Sequence, residues 1–319
     1  MQKDFYQIIW NEQLAEDVRK LITLAVSEDL STLGDVTTMA LVPENATGQA
    51  VMRARQAGIV AGLAAVPTIA AMIDPNLQWE SHLHDGAKLD GSLNILGEIS
   101  GLFRSILNVE RMILNFVGKL SGIATLTRCY VDEISGTNAK IYDTRKTTLG
   151  WRRLEKYAVK CGGGMTHRTG LFDAILIKDN HLAFGAFGLT TDAEKYTPAV
   201  AVRKSKQYIQ KSLIRGKNDE QIPIIEIEVD SLEQLAEVFP ERPDIVLLDN
   251  MSPEMLRQAV KMRNKLCGEN PMNDGFVELE ASGGVNLKTV RAIAETGVER
   301  ISVGAITHSA ISLDVGLDF

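Results

Sequence analysis

Cysteine is scarce and unpatterned in this chain: Cys129, Cys161 and Cys267, with no C-x-x-C spacing. An odd number so placed argues against a disulfide framework or thiolate zinc site, and a reducing cytoplasm is the expected compartment. Long apolar runs are missing too: none approaches the roughly 20 residues a membrane span needs. The N-terminus is polar and lacks the apolar core of a signal peptide. Positive charge is in deficit, with a net charge of −7 and a pI near 5.4. That balance argues against general binding to nucleic acid or to an anionic membrane. What remains is ordinary for a soluble globular enzyme, 45% hydrophobic and 24% charged residues. At 319 residues the chain is expected to form one large or two moderate domains.

Apolar spacing predicts an amphipathic helix over 12–28, then a turn-rich connection over 28–38. Short alternating strands follow near 48–55, 58–61, 77–82 and 93–103, with a small-residue helix at 63–73. This reads as an α+β unit with a mostly antiparallel sheet. A long helix from Asn108 to about Ile134 changes the rhythm, with Glu110 and Arg111 read as first-turn surface charges. Beyond it strands alternate with helices: strands 139–142, 173–178, 223–229, 244–249, 277–281 and 300–304, and helices 150–160, 193–214, 231–238, 252–264 and 286–296. Consecutive units of this kind predict a parallel sheet with crossover helices. Apolar runs such as Ala174–Ile177 and Ile245–Leu248 fit strands covered on both faces. The fold class expected is α/β, an incomplete or irregular barrel after an N-terminal α/β unit. The polar segments 190–221 and 264–275 read as a surface helix with its loop, and as a surface loop.

Charge is distributed against the global balance. Residues 145–178 hold eight Lys/Arg and two Asp/Glu, a local excess of six positive charges. Chemistry-bearing residues also follow the strands: Arg145 and Lys146, Lys178, Glu228, Asp249, Ser282 with Gly283, and Gly304. In a β/α barrel such strand ends meet at one mouth; an open doubly wound sheet would also gather them at its carboxyl edge. Arg145, Arg168 and Lys178 suit carboxylates or phosphates, by bidentate guanidinium geometry or a compact ammonium charge. The plainer reading is cap and surface pairing with Glu155 or Asp173, which a set at three strand–helix junctions disfavours. Glu228 and Asp249 are hard oxygen donors of the kind that hold Mg²⁺ together with phosphates. Glu226 shares a strand face with Glu228, so one of the two is free to be structural; Glu228 lies nearer the mouth. Ser282-Gly283-Gly284 and Gly304 are candidate backbone phosphate cradles, with ordinary turns as the alternative. His167, beside Arg168, is a candidate donor or acid/base group. His308 could reach a phosphate at the second cradle. His82 and His84 read as exposed strand residues. Lys178 at a strand end also fits a Schiff-base lyase.

These motifs carry a family resemblance. Gly34-Asp35-Val36-Thr37-Thr38, Thr144-Arg145-Lys146-Thr147-Thr148, His167-Arg168, Ile177-Lys178-Asp179-Asn180-His181, Leu248-Asp249-Asn250, Glu280-Ala281-Ser282-Gly283-Gly284 and Val303-Gly304 through His308 together resemble the quinolinate phosphoribosyltransferases. The resemblance implies an N-terminal α/β sandwich domain (1–117), an irregular α/β barrel (118–306) and a tail (307–319) able to pack back on the first domain. It implies transfer of phosphoribosyl from phosphoribosyl pyrophosphate to quinolinate with loss of CO₂, in NAD biosynthesis, with Mg²⁺ as cofactor. It implies a homodimer with shared active sites, open to larger assembly. By the same resemblance Arg145, His167, Arg168 and Lys178 hold the dicarboxylate, with Arg111 reaching it from the partner subunit. Lys146, Glu228 and Asp249 serve ribose, diphosphate and metal; Ser282, Gly283, Gly304 and His308 hold the 5′-phosphate. Leu149, where the family usually has proline, and Trp151, at a more often aliphatic position, are departures. A molybdenum-associated branch of the same fold is the nearest rival, and a non-catalytic paralogue a further one.

Overall fold

The computed structural model describes residues 4–185, 196–214, 223–267 and 275–319. In chain order its elements are α1 Glu12–Asp29, α2 Val36–Leu41, β1 Thr47–Ala54, β2 Gly58–Ile59, α3 Val66–Ile73, β3 Gln78–Ser81, β4 Lys88–Leu89, β5 Asn94–Leu102 and α4 Phe103–Glu133. There follow β6 Lys140–Tyr142, α5 Arg152–Cys161, β7 Ala174–Ile177, α6 Asp179–Gly185, α7 Pro198–Ile214, β8 Ile224–Val229 and α8 Leu232–Val238. The chain ends with β9 Ile245–Asp249, α9 Pro253–Cys267, β10 Glu278–Ser282, α10 Val290–Ala294, β11 Arg300–Ser302, α11 Ala305–His308 and β12 Val315–Asp318. It divides into two compact units: Gln7–Val131 with Lys146–Thr166 and Gly304–Phe319, and Met1–Tyr6 with Asp132–Arg145 and His167–Val303.

The first unit is built on an antiparallel sheet of order β12-β1-β5-β3. Helix α1 starts where the Asn11 side chain accepts from the Leu14 amide and buries Leu14, Val18 and Ile22. The expected 28–38 connection is shorter than its turn residues suggested. Asp35 accepts from the Thr37 and Thr38 amides and nucleates α2 inside it. Helix α4 begins at Phe103, five residues before the expected start, so Arg111 lies in its third turn, exposed, and is no first-turn charge. His82 and His84 fall just beyond β3, exposed but outside a strand. Much of segments 190–221 and 264–275 lies outside the described residues, as does the start of the helix expected from 193.

The second unit holds six parallel strands in the order β6-β11-β10-β9-β8-β7. An open sheet laid down in sequence would set β6 beside β7. Here the first strand pairs with the last, Ile141 opposite Ile301, which is how a barrel closes; among the described residues β6 and β7 do not pair. Apolar β-branched residues dominate one set of positions, such as Ile225, Ile227 and Val229, all buried. The alternate positions are unusually polar: Glu226 and Glu228, then Glu278, Glu280 and Ser282, then Arg300 and Ser302. Since side chains alternate with period two, these polar groups share one face of the sheet. Register layers them, with Glu280 opposite Arg300, and Asp249 opposite Ser282.

Candidate active site

All six strands run the same way, so Arg145, Lys178, Glu228, Asp249 and Ser282 sit at or just past one edge of the sheet. Glu228 lies opposite Leu247, and Asp249, two residues on, takes the same face, as does its neighbour Ser282. The Lys178 ammonium is ion-paired with Glu228. Asp249 accepts from the Asn250 side-chain amide at 2.9 Å. Among the described residues Asn250 is one of three non-glycine residues with positive φ (53°), a conformation asparagine tolerates better than most. Gly283 and Gly284 follow β10 with φ of 91° and 62°. A Cβ on Gly283 would stand 2.2 Å from the Asn250 Oδ1, so the turn is shaped for glycine twice over, by backbone and by contact.

Arg168 is 5% exposed. One guanidinium nitrogen donates to the Ala174 carbonyl at 3.3 Å. Burial and the like charge of Arg145 both lower its pKa, only partly offset by Glu226 and Asp173. Two guanidinium groups close enough to disfavour each other form a place for a carboxylate. A cavity of about 510 Å³ runs along β7 with Arg168 in its wall, together with His181, Lys204 and Tyr208.

Beneath the strand ends lies a closed polar layer. His167 Nε2 is 3.1 Å from the Glu226 carboxylate and 3.5 Å from Glu280. Neither glutamate has measurable exposure. The imidazole stacks on Phe5 at 4.2 Å between centroids. Its Nδ1 accepts from the Arg168 amide at 2.8 Å, and its own backbone N–H donates to the Asp143 carboxylate at 2.8 Å. Burial opposes charge on His167 while the two carboxylates favour it. The amide aimed at Nδ1 needs a lone pair there, which places the ring proton on Nε2. Burial raises the Glu226 pKa; His167 holds that of Glu280 down against its own burial. Lower still, Arg300 pairs with Glu278 and, at 3.0 Å, with Asp4.

The first unit carries its own group. A Cβ on Gly304 would lie 3.0 Å from Lys146 Cδ and 3.3 Å from His308 Nε2. Thr307 donates to the Lys146 carbonyl at 2.8 Å, and Ser309 Oγ lies 2.7 Å from His308 Nδ1. Lys146 is the next residue after Arg145, and Gly304 the next after Val303. Trp151 packs against Phe116 at 4.8 Å, with Lys119 over its ring; Leu149 is 89% exposed.

Asn250, Asp143, Glu280 and Phe5 were not singled out as site residues. The signal for Glu280 was present in Glu278-Leu279-Glu280: alternating acids in a strand with covered faces mark a polar interior. Phe5 carried none, because only the folded chain brings residue 5 to residue 167.

The strand-edge cations and carboxylates of the second unit, with the Gly283-Gly284 turn, are groups of the kind that bind small polyanions. The sequence patterns of the quinolinate phosphoribosyl transferase N-terminal and C-terminal domains match residues 35–121 and 123–318. A nicotinate-nucleotide pyrophosphorylase (carboxylating) of Mycobacterium leprae is 39% identical over 305 residues, spanning 94% of this chain and 96% of its own. A quinolinate phosphoribosyltransferase (decarboxylating) of Nicotiana tabacum is 36% identical over 316 residues, 94% of this chain and 82% of its own. The solved nicotinate-nucleotide pyrophosphorylase of Francisella tularensis superposes with a TM-score of 0.82 at 35% identity, covering 99% of both chains. The chain belongs to the quinolinate phosphoribosyltransferase family.

Proposed function

We infer that this chain transfers phosphoribosyl from phosphoribosyl pyrophosphate to quinolinate, releasing diphosphate and CO₂ and leaving nicotinate mononucleotide, a step of NAD biosynthesis. It is a pentosyltransferase. The observation that carries the reading is the buried Arg168 guanidinium, which feels the like charge of Arg145, together with the Lys178–Glu228 ion pair at the edge of the same sheet. Arg145, Arg168 and Lys178, with His167 in the same set and Arg111 from a second copy, hold the pyridine dicarboxylate. Neutralising it lets the ring nitrogen approach the anomeric carbon. As diphosphate leaves, positive charge grows on the ribose and a nearby carboxylate steadies it; Lys146 takes up charge on the leaving group. Ser282, Gly283, Gly304 and His308 hold the 5′-phosphate. Loss of CO₂ then places an electron pair on the carbon beside a quaternary nitrogen, which needs no nucleophilic serine or cysteine.

Glu228 and Asp249 fit Mg²⁺. Both are hard oxygen donors and neither is fully buried, as suits an ion that keeps several waters and shares phosphate ligands. When bound, Mg²⁺ would supply charge stabilisation to the diphosphate. A homodimer is proposed, supported by apolar side chains that α2 and the turn before it leave exposed: Leu33, Val36, Met39 and Leu41. Among the described residues no helix is long and apolar enough to cross a membrane; a cytoplasmic location is proposed from the cysteine usage. Lys178 is engaged as a charge by Glu228, and neither the Schiff-base reading nor the molybdenum-associated one is favoured. Incubation with quinolinate, phosphoribosyl pyrophosphate and Mg²⁺ should yield nicotinate mononucleotide and CO₂. Turnover of nicotinate with none of quinolinate would overturn the assignment.

A further inference from the structure

The polar layer beneath the strand edge is buried, and its two glutamates lie against His167. Glu226 and Glu280 lie against one ring nitrogen, His167 Nε2, at 3.1 and 3.5 Å. The other ring nitrogen accepts from the Arg168 amide. Asp143, itself buried, accepts from the preceding amide, and Phe5 covers the ring face. The dipeptide His167-Arg168 is thus held at two successive backbone amides. Both amides donate to buried side chains, His167 N–H to Asp143 and Arg168 N–H to His167 Nδ1.

A divalent cation among His167, Glu226 and Glu280 is the rival reading, since their ligand atoms lie within 4.8 Å of one another. The Nδ1 contact opposes it. A histidine that coordinates through Nε2 carries its proton on Nδ1 and donates from there, whereas here a backbone N–H points at Nδ1. Two donors cannot face each other at 2.8 Å. The proton therefore belongs on Nε2, where the negative charge of the two glutamates, 3.1 and 3.5 Å away, favours this tautomer.

We propose that Glu280 and Glu226 are positioning residues for the dicarboxylate site: by fixing His167 as the Nε2–H tautomer they anchor the Arg168 backbone, and so aim its guanidinium, with Arg145, at the substrate carboxylate. The proposal rests on the assignment of Arg168 to quinolinate. It gives His167 the part of a strut in that set, acting through the Arg168 backbone. It also accounts for two carboxylates placed where water and substrate do not reach.

The test compares Glu280→Met, which removes the acceptor, with Glu280→Gln, which keeps a carbonyl in its place. Glu280→Met should raise KM for quinolinate by about tenfold, a loss near 1.4 kcal/mol, with KM for phosphoribosyl pyrophosphate unchanged. Glu280→Gln should recover most of that loss. Independently of any variant, ¹⁵N spectra of the histidine-labelled native enzyme should report His167 as the Nε2–H tautomer. An equal rise in both KM values with a lowered Tm, an Nδ1–H tautomer, or one tightly held metal ion per chain lost in Glu280→Gln would each overturn the proposal. Arg168→Ala separates the two levels. If it leaves KM for quinolinate unchanged, the assignment of Arg168 fails; if it raises that KM and Glu280→Met does not, the positioning role alone fails.

Discussion

Arg168 concentrates the account at the residue scale. Its guanidinium is nearly buried, lies by a second arginine and reaches one backbone carbonyl. Burying such a cation is costly; Glu226 and Asp173 offset only part of that cost, and a bound carboxylate would offset more. Arg168→Ala should therefore lower kcat/KM for quinolinate by at least about a hundredfold, the usual scale for removing one side of a charged hydrogen-bonded pair, while phosphoribosyl pyrophosphate binding, read by calorimetry, persists. Gly283 gives a second prediction. Its φ of 91° and the 2.2 Å approach of Asn250 Oδ1 to a built Cβ mean that Gly283→Ala should cost about 1–3 kcal/mol in chemical denaturation and raise KM for phosphoribosyl pyrophosphate. The glycine was legible as a phosphate candidate from its place after a strand. Asn250 was not singled out, since nothing in Asp249-Asn250 announces that one side chain would fill the glycine's missing corner.

The elements show why some of the fold was readable and some was not. The strands β7 to β10 lie within a residue of their expected bounds, because the continuous apolar runs of β7 and β9 and the apolar–polar alternation of β8 and β10 both favour a strand. The start of α4 was misplaced by five residues: Phe103-Arg104-Ser105 reads as a strand end, and the Arg104 contacts with the Val42 and Met39 carbonyls that accompany the helix are tertiary. Helix α2 was missed because its signal is one cap. Asp35 accepts from two amides and the Thr38 hydroxyl, which lower its pKa. A carboxyl whose folded pKa lies below its unfolded value stabilises the native state above the unfolded pKa, and that contribution is lost as pH falls through the folded value. Asp35→Asn should therefore flatten the acid limb of the Tm–pH curve and leave Tm near neutrality little changed. At α8 the Ser231 hydroxyl accepts from the Gln234 amide; Ser231→Ala should cost about 1 kcal/mol in urea unfolding, with kcat intact.

Across the whole molecule, the pairing of the first strand of the parallel sheet with the last was implied by nothing more local than the count of βα units. Its consequence is that strand ends far apart in sequence, at 145, 178, 228, 249 and 282, share one edge. The polar face inside that sheet was half legible: Glu226 was named as a companion of Glu228, but its partners His167 and Glu280 are supplied by folding. If sites are shared between copies, Arg111→Ala and Lys178→Ala, each inactive alone, should regain part of the activity when mixed dimers form; verified mixed dimers without recovery would remove the shared site.

The most direct measurement is a single assay of the native enzyme with quinolinate, phosphoribosyl pyrophosphate and magnesium, following carbon dioxide and nicotinate mononucleotide together. The account predicts equal amounts of both, abolished by Arg168→Ala and by Lys178→Ala. Undiminished product formation from quinolinate by either variant would contradict the claim that these strand-edge cations hold the dicarboxylate.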